Sequence, residues 1–113
     1  MKSKYGNRKL KAPDGQVFDS VKEFHRWGVL RLLERAGKIS DLKRQVKYVL
    51  IPAQRDESGK LLEREMSYVA DFQYIDNGLG MVVVEDVKGY KTEVYRLKKK
   101  LLLWVHGIRI KEV

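Results

Sequence analysis

The chain has 113 residues, 24 Lys and Arg against 15 Asp and Glu, a formal charge of +9 and no cysteine. That length holds one domain, and the 43% apolar share supplies a core without staples. The missing thiols exclude disulfide scaffolds, cysteine zinc sites, iron–sulfur clusters and cysteine nucleophiles, and two isolated histidines, His25 and His106, leave any metal to oxygen ligands. The excess positive charge favours a polyanionic partner, because Lys and Arg that neutralise phosphates release condensed counterions. The longest apolar run, Leu101–Val105, falls far short of the roughly 20 residues that span a bilayer. The basic start, MKSKYGNRKLK, has no apolar stretch of the secretory kind, so a cytoplasmic protein without a membrane partner is the simplest expectation.

Residues 1–14 read as a basic arm and 15–113 as a single domain. Pro13-Asp14-Gly15 is a turn signal, followed by a short strand at Gln16–Phe18. Ser20-Val21-Lys22-Glu23 has the form of a capping box opening a helix over 21–36 that ends at Gly37. The apolar residues of that helix cover more than half its circumference, which predicts cover on several sides. Strands follow at 45–53, 62–75 and 81–88, with a polar turn over 54–60 and a hairpin signal at Asp76-Asn77-Gly78. Along 68–74, Tyr68, Ala70, Phe72 and Tyr74 share one face, and Val69, Asp71 and Gln73 the other. Thr92 suits the cap of a second helix over 92–105, whose apolar stripe Val94, Leu97, Leu101, Trp104 and Val105 includes Lys98; a last strand lies within 107–113.

The informative stretch is 68–88. With a hairpin loop of two residues or of four, alternation puts Asp71 on the face that carries Asp86 and Lys88. Two carboxylates so placed repel unless a positive charge sits between them. Mg²⁺ binds through one or two carboxylates plus water and substrate phosphate, and it lowers the pKa of a bound water; Lys88 would orient that water or stabilise charge growing on the phosphate. The bland alternative is a surface ion-pair ladder, which contributes little stability.

Ala70-Asp71 followed by Glu85-Asp86-Val87-Lys88 resembles the signature of the PD-(D/E)-x-K nuclease superfamily, and the run from Phe18-Asp19-Ser20 and Glu23 through Leu33, Ala36-Gly37 and Ile39 to Gly89 is similar to a small phage-borne branch of it. The proline expected before the first aspartate is Ala70 here. The resemblance implies an α/β restriction-endonuclease-like core in the order α-β-β-β-α-β, with a mixed central sheet of about four or five strands flanked by two helices. It implies Asp71 and Asp86 as metal ligands with the Val87 carbonyl, Lys88 as the catalytic lysine, and Glu23 as the acid that relatives carry on the first helix; the capping box explains Glu23 equally well. Lys98 would either snorkel to the rim or reach the scissile phosphate. Lys91, Arg96, Lys99 and Lys100 would track DNA phosphates, and Thr92 would contact DNA or only cap its helix. The activity implied is Mg²⁺-dependent endonucleolytic cleavage of DNA, with Mn²⁺ able to substitute, on branched DNA such as a Holliday junction, in phage recombination and the host cytoplasm; cutting two strands would require a homodimer. The alternative from another class is a non-catalytic basic DNA-binding protein.

Overall fold

The computed structural model describes residues 9–87 and 91–113. Its elements are, in chain order, β1 (Leu10–Lys11), β2 (Val17–Phe18), α1 (Val21–Arg35), β3 (Ile39–Ile51), β4 (Gln54–Arg55), β5 (Leu61–Glu63), β6 (Met66–Asp76), β7 (Met81–Asp86), α2 (Glu93–His106) and β8 (Ile110–Glu112). The fold is α/β: the sheet order is β3-β6-β7-β8, with β8 parallel to β7, and β6 runs into β7 through the four residues Asn77–Gly80, a turn that forces an antiparallel pair. The sheet is therefore mixed and is accompanied by two helices. Residue contacts divide the chain into two compact units, one of residues up to Leu42 with Tyr74–Val82, the other of Lys43–Gln73 with Val83–Val113.

In the first unit the described part of the basic segment is folded. Leu10 and Lys11 pair antiparallel with Phe18 and Val17 around the predicted Pro13-Asp14-Gly15 turn. Phe18 is fully buried and meets Phe24 of α1 edge to face, 5.4 Å between centroids. Ser20 caps α1: its Oγ accepts the Glu23 N–H at 3.1 Å. At the other end Gly37 adopts φ 74°, which an L side chain would resist, and the Lys38 N–H reaches the Leu33 carbonyl at 2.9 Å. The β6–β7 turn completes this end, since the Asn77 side-chain amide donates to the Gly37 carbonyl at 2.9 Å and the Asn77 N–H to the Lys38 carbonyl at 3.0 Å. One asparagine thus serves both the hairpin and the orphan carbonyls of the helix end. The expectation that α1 is covered on several sides does not hold. Only Glu23 and Leu30 of the helix are buried, while Val21, Val29 and Leu32 are exposed.

The second unit holds an apolar cluster of Leu50, Tyr68, Ala70, Val84, Tyr95, Leu102 and Ile110. The alternation read along β6 is the one observed: Tyr68, Ala70, Phe72 and Tyr74 are buried, and Val69, Asp71 and Gln73 are more open. The phase of α2 differs from expectation. Its buried residues are Tyr95 and Leu102, whereas Val94, Leu97, Trp104 and Val105 are exposed, Trp104 to 86%. Because Leu101–Val105 is apolar all round, the sequence leaves the inward direction open, and the side chain that finds partners on the sheet sets it. Glu85 of β7 is fully buried.

The two readings of α2 separate in a urea denaturation experiment. Leu102→Ala removes a fully buried side chain and is expected to cost about 3 kcal/mol, whereas Trp104→Ala at the exposed face is expected to stay within about 0.5 kcal/mol of the native protein.

Candidate functional site

The candidate site lies in the second unit, where β6, β7 and β8 bring carboxylates together. Asp71 is half-buried on β6, and its Oδ2 accepts the backbone N–H of Val87 at 2.8 Å. Val87 directly follows Asp86, so this bond ties the first acid to the end of the strand that carries the second. Asp71 Oδ1 lies 3.5 Å from the side-chain amide nitrogen of Gln45, a β3 residue with φ 52°. A non-glycine residue in the left-handed region within a strand is strained, and such residues concentrate where a side chain must be aimed.

Asp86 is 1% exposed and its Oδ2 accepts the Tyr68 hydroxyl hydrogen. Alternation put Asp86 with Asp71 on one open face, yet its hydrogen bond comes from Tyr68, on the buried face of β6. The two acids therefore differ in depth, Asp71 half-buried and Asp86 buried. Burial raises the cost of each negative charge, so ionised Asp86 requires hydrogen bonds and nearby positive charge.

Tyr95 and Glu112 extend the cluster. The Tyr68 and Tyr95 rings lie 6.2 Å apart, and the Tyr95 hydroxyl donates to Glu112 Oε2 at 2.7 Å. In the parallel ladder Glu112 of β8 is level with Asp86 of β7. Burial first, then the hydrogen bond to Glu112 and the negative charges of Glu112, Asp86 and Asp71, push the Tyr95 hydroxyl well above its usual range, so it remains a proton donor. Glu112 moves the other way, down to about 2: the Tyr95 hydrogen bond is the main cause, opposed by desolvation and assisted by Lys91 and Lys99, each with Nζ 3.3 Å from Oε1. Glu112 is a fixed anion whose side chain is 24% exposed.

The residues named from the sequence fall as follows. Asp71, Asp86 and Val87 stand together, although the Val87 contact shown is its N–H to Asp71. Lys88 lies outside the described residues. Glu23 belongs to the first unit, in the first turn of α1, buried and with its N–H on Ser20. Thr92 caps α2, its Oγ1 accepting the Tyr95 N–H at 3.0 Å. Lys98 is half-buried. Lys91 and Lys99 are paired with Glu112, while Arg96 and Lys100 are exposed with no carboxylate partner among the described residues. Sequence reasoning missed Glu112 and Gln45. The Ile-x-Ile alternation of the last strand could have suggested the first once its parallel register was known; nothing in the sequence marks the positive φ of the second.

As a cation seat the site offers hard oxygen donors from two neighbouring carboxylates, the kind and number that Mg²⁺ takes when phosphate and water complete its shell. Among the described residues no group of three or more His, Cys, Asp or Glu is placed to hold a metal.

The chain belongs to the family described as "Protein of unknown function (DUF1064)", whose model matches residues 2–108. No curated protein and no solved structure matches it.

Glu112 makes a test of this network in solution. A carboxylate held at about 2 when folded and near 4.5 when free stabilises the fold at pH above 4.5, and the contribution is lost as the pH falls from there toward 2. Thermal melts across that window are expected to show a steep loss of midpoint for the native protein and a shallower one for Glu112→Gln.

Proposed function

We propose that this protein is a metal-dependent endodeoxyribonuclease of the PD-(D/E)-x-K kind, hydrolysing DNA phosphodiester bonds with Mg²⁺ or Mn²⁺. The observation that carries the reading is the Asp71–Val87 hydrogen bond, which holds one aspartate against the end of β7 directly after a second, buried aspartate, with the motif lysine next in the chain. The mixed sheet and two helices agree with a restriction-endonuclease-like core, and the surplus of cations agrees with a polyanionic substrate.

In this mechanism Asp71 and Asp86 hold the cation, which when bound polarises the phosphate and lowers the pKa of water. The protein's own groups do the rest. The Val87 amide and Tyr68 hydroxyl orient the two carboxylates. Lys88 positions the attacking water or meets the negative charge that grows on the phosphate oxygens. Arg96 and Lys100 hold flanking phosphates by charge. No covalent intermediate with the enzyme forms, and the product carries a 5′-phosphate.

A domain of this size has little room for a separate sequence reader, which favours recognition of DNA shape, with branched or junction DNA the preferred substrate. Cleavage of two strands at a junction would use a homodimer, one site for each strand.

A labelled panel of single-stranded, duplex, flap and four-way-junction DNA with Mg²⁺ and with Mn²⁺ tests the reading. Native protein is expected to cut at least one member, and Asp86→Asn and Lys88→Ala to lower the rate about 100-fold or more while retaining DNA binding. Binding of every member by native protein with no cutting under either metal would replace the nuclease by a non-catalytic DNA-binding protein.

A further inference from the structure

The second unit carries an open groove of about 460 Å³ between α2 and β8, separate from the carboxylates that the proposed hydrolysis uses. Its rim is cationic, formed by Arg96, Lys99, Lys100 and Arg109. Its floor is aliphatic, formed by Leu103, Ile108 and Ile110. Lys99 is committed to Glu112, but Arg96, Lys100 and Arg109 are exposed and make no ion pair with a carboxylate among the described residues. Three cations with no ion pair among the described residues, beside the exposed Leu103 and half-buried Ile108 and over the buried Ile110, make an amphipathic seat.

The cations call for a polyanion, and the floor narrows its form. A blunt duplex turns phosphates outward and keeps its bases stacked inside, so it has nothing to lay on Leu103 or Ile108. An unpaired strand presents phosphates and base faces together, and splayed bases pack on apolar side chains and on guanidinium planes such as those of Arg96 and Arg109. A volume of 460 Å³ lies in the range of pockets that bury a small ligand, enough for an unstacked nucleotide. The groove also adjoins the acid cluster through protein contacts: Ile110 is level with Val84 of β7, and Lys99 of the rim holds Glu112, which is level with Asp86.

We infer that the groove between α2 and β8 binds an unpaired nucleic-acid strand, phosphates on Arg96, Lys100 and Arg109 and a base over Leu103 and Ile108. The inference rests on the reading of the partner as nucleic acid, and it specifies the substrate as one with single-stranded character, a flap or an open branch, held beside the site of hydrolysis.

The test is metal-free binding. Fluorescence anisotropy in EDTA would compare a labelled thymidine oligomer of about 12 nucleotides, within the span of a single-strand site, with a blunt duplex of equal length at several salt concentrations. Native protein is expected to prefer the oligomer. Leu103→Gln, a substitution at an exposed position that keeps the charge, is expected to weaken oligomer binding about 10-fold and leave duplex binding unchanged. Arg109→Ala is expected to weaken oligomer binding and make its salt dependence shallower by about one ion. Equal affinity of native protein for the two DNAs, or an oligomer affinity that neither substitution changes, overturns the inference, as does binding to anionic lipid vesicles with none to either DNA. Because EDTA removes the hydrolytic step, oligomer binding through the groove without any Mg²⁺-dependent cutting would uphold the inference and remove the nuclease; cutting without the strand preference would do the reverse.

Discussion

The hydrogen bond from the Val87 amide to the Asp71 carboxylate sits where every element of the candidate site converges. It joins β6 to the residue that follows β7, and it fixes one carboxylate against the backbone at the place where Asp86 goes into the interior. A charged acceptor makes this a stronger bond than a neutral ladder bond, and its half-buried setting protects it from water. Without it, the end of β7 would lose this anchor on the neighbouring strand.

Around that bond the molecule accumulates a concentration of negative charge that is unfavourable for stability. Asp86 and Glu85 are fully buried and adjacent, Asp71 is half-buried, and Glu112 is level with Asp86 on the next strand. A fold selected for packing alone would place apolar residues at such sites, because burying a carboxylate costs more than its hydrogen bonds return. The arrangement answers part of this cost locally. Tyr68 and Tyr95 each donate a hydroxyl hydrogen, to Asp86 and Glu112, and Lys91 and Lys99 neutralise Glu112 from the side of α2. Glu112 has its charge secured by three donors, Tyr95, Lys91 and Lys99.

How much of this could be read from the sequence depended on whether one local rule fixed the answer. The alternation from Tyr68 to Tyr74 was legible because each strand residue has only two directions, and the tyrosines and phenylalanine mark one of them. The α1 cap was legible because Ser20 and its helix are contiguous, and the Asp76-Asn77-Gly78 turn because its residues name it. Features that need two distant segments were not. Asn77 closes the C-terminal end of α1, Glu112 meets Tyr95, and Gln45 points at Asp71 from a strained backbone, and none of these follows from nearby residues. Period-two alternation put Asp71 and Asp86 on one surface, but it carries no information about depth, and Asp86 is buried against Tyr68 while Asp71 is only half-buried.

The second helix shows why charge and apolarity have to be read together. Tyr95 and Leu102 seat it with Leu101 packed beside them, and its ends are held: Thr92 caps the start, Gly107 at φ 68° closes the finish, and the His106 ring contacts the Val49 carbonyl at 2.6 Å. One side displays Val94, Leu97 and Trp104 to solvent; another displays Arg96 and Lys100 beside Leu103. Single exposed apolar residues need no explanation, but a row of them on a helix that is anchored without them does. The cationic side differs in kind, since there aliphatic surface and unneutralised positive charge occupy the same groove, and water satisfies the second but not the first. A ligand that is itself part anion and part apolar ring removes that mismatch, and an unstacked nucleotide has both.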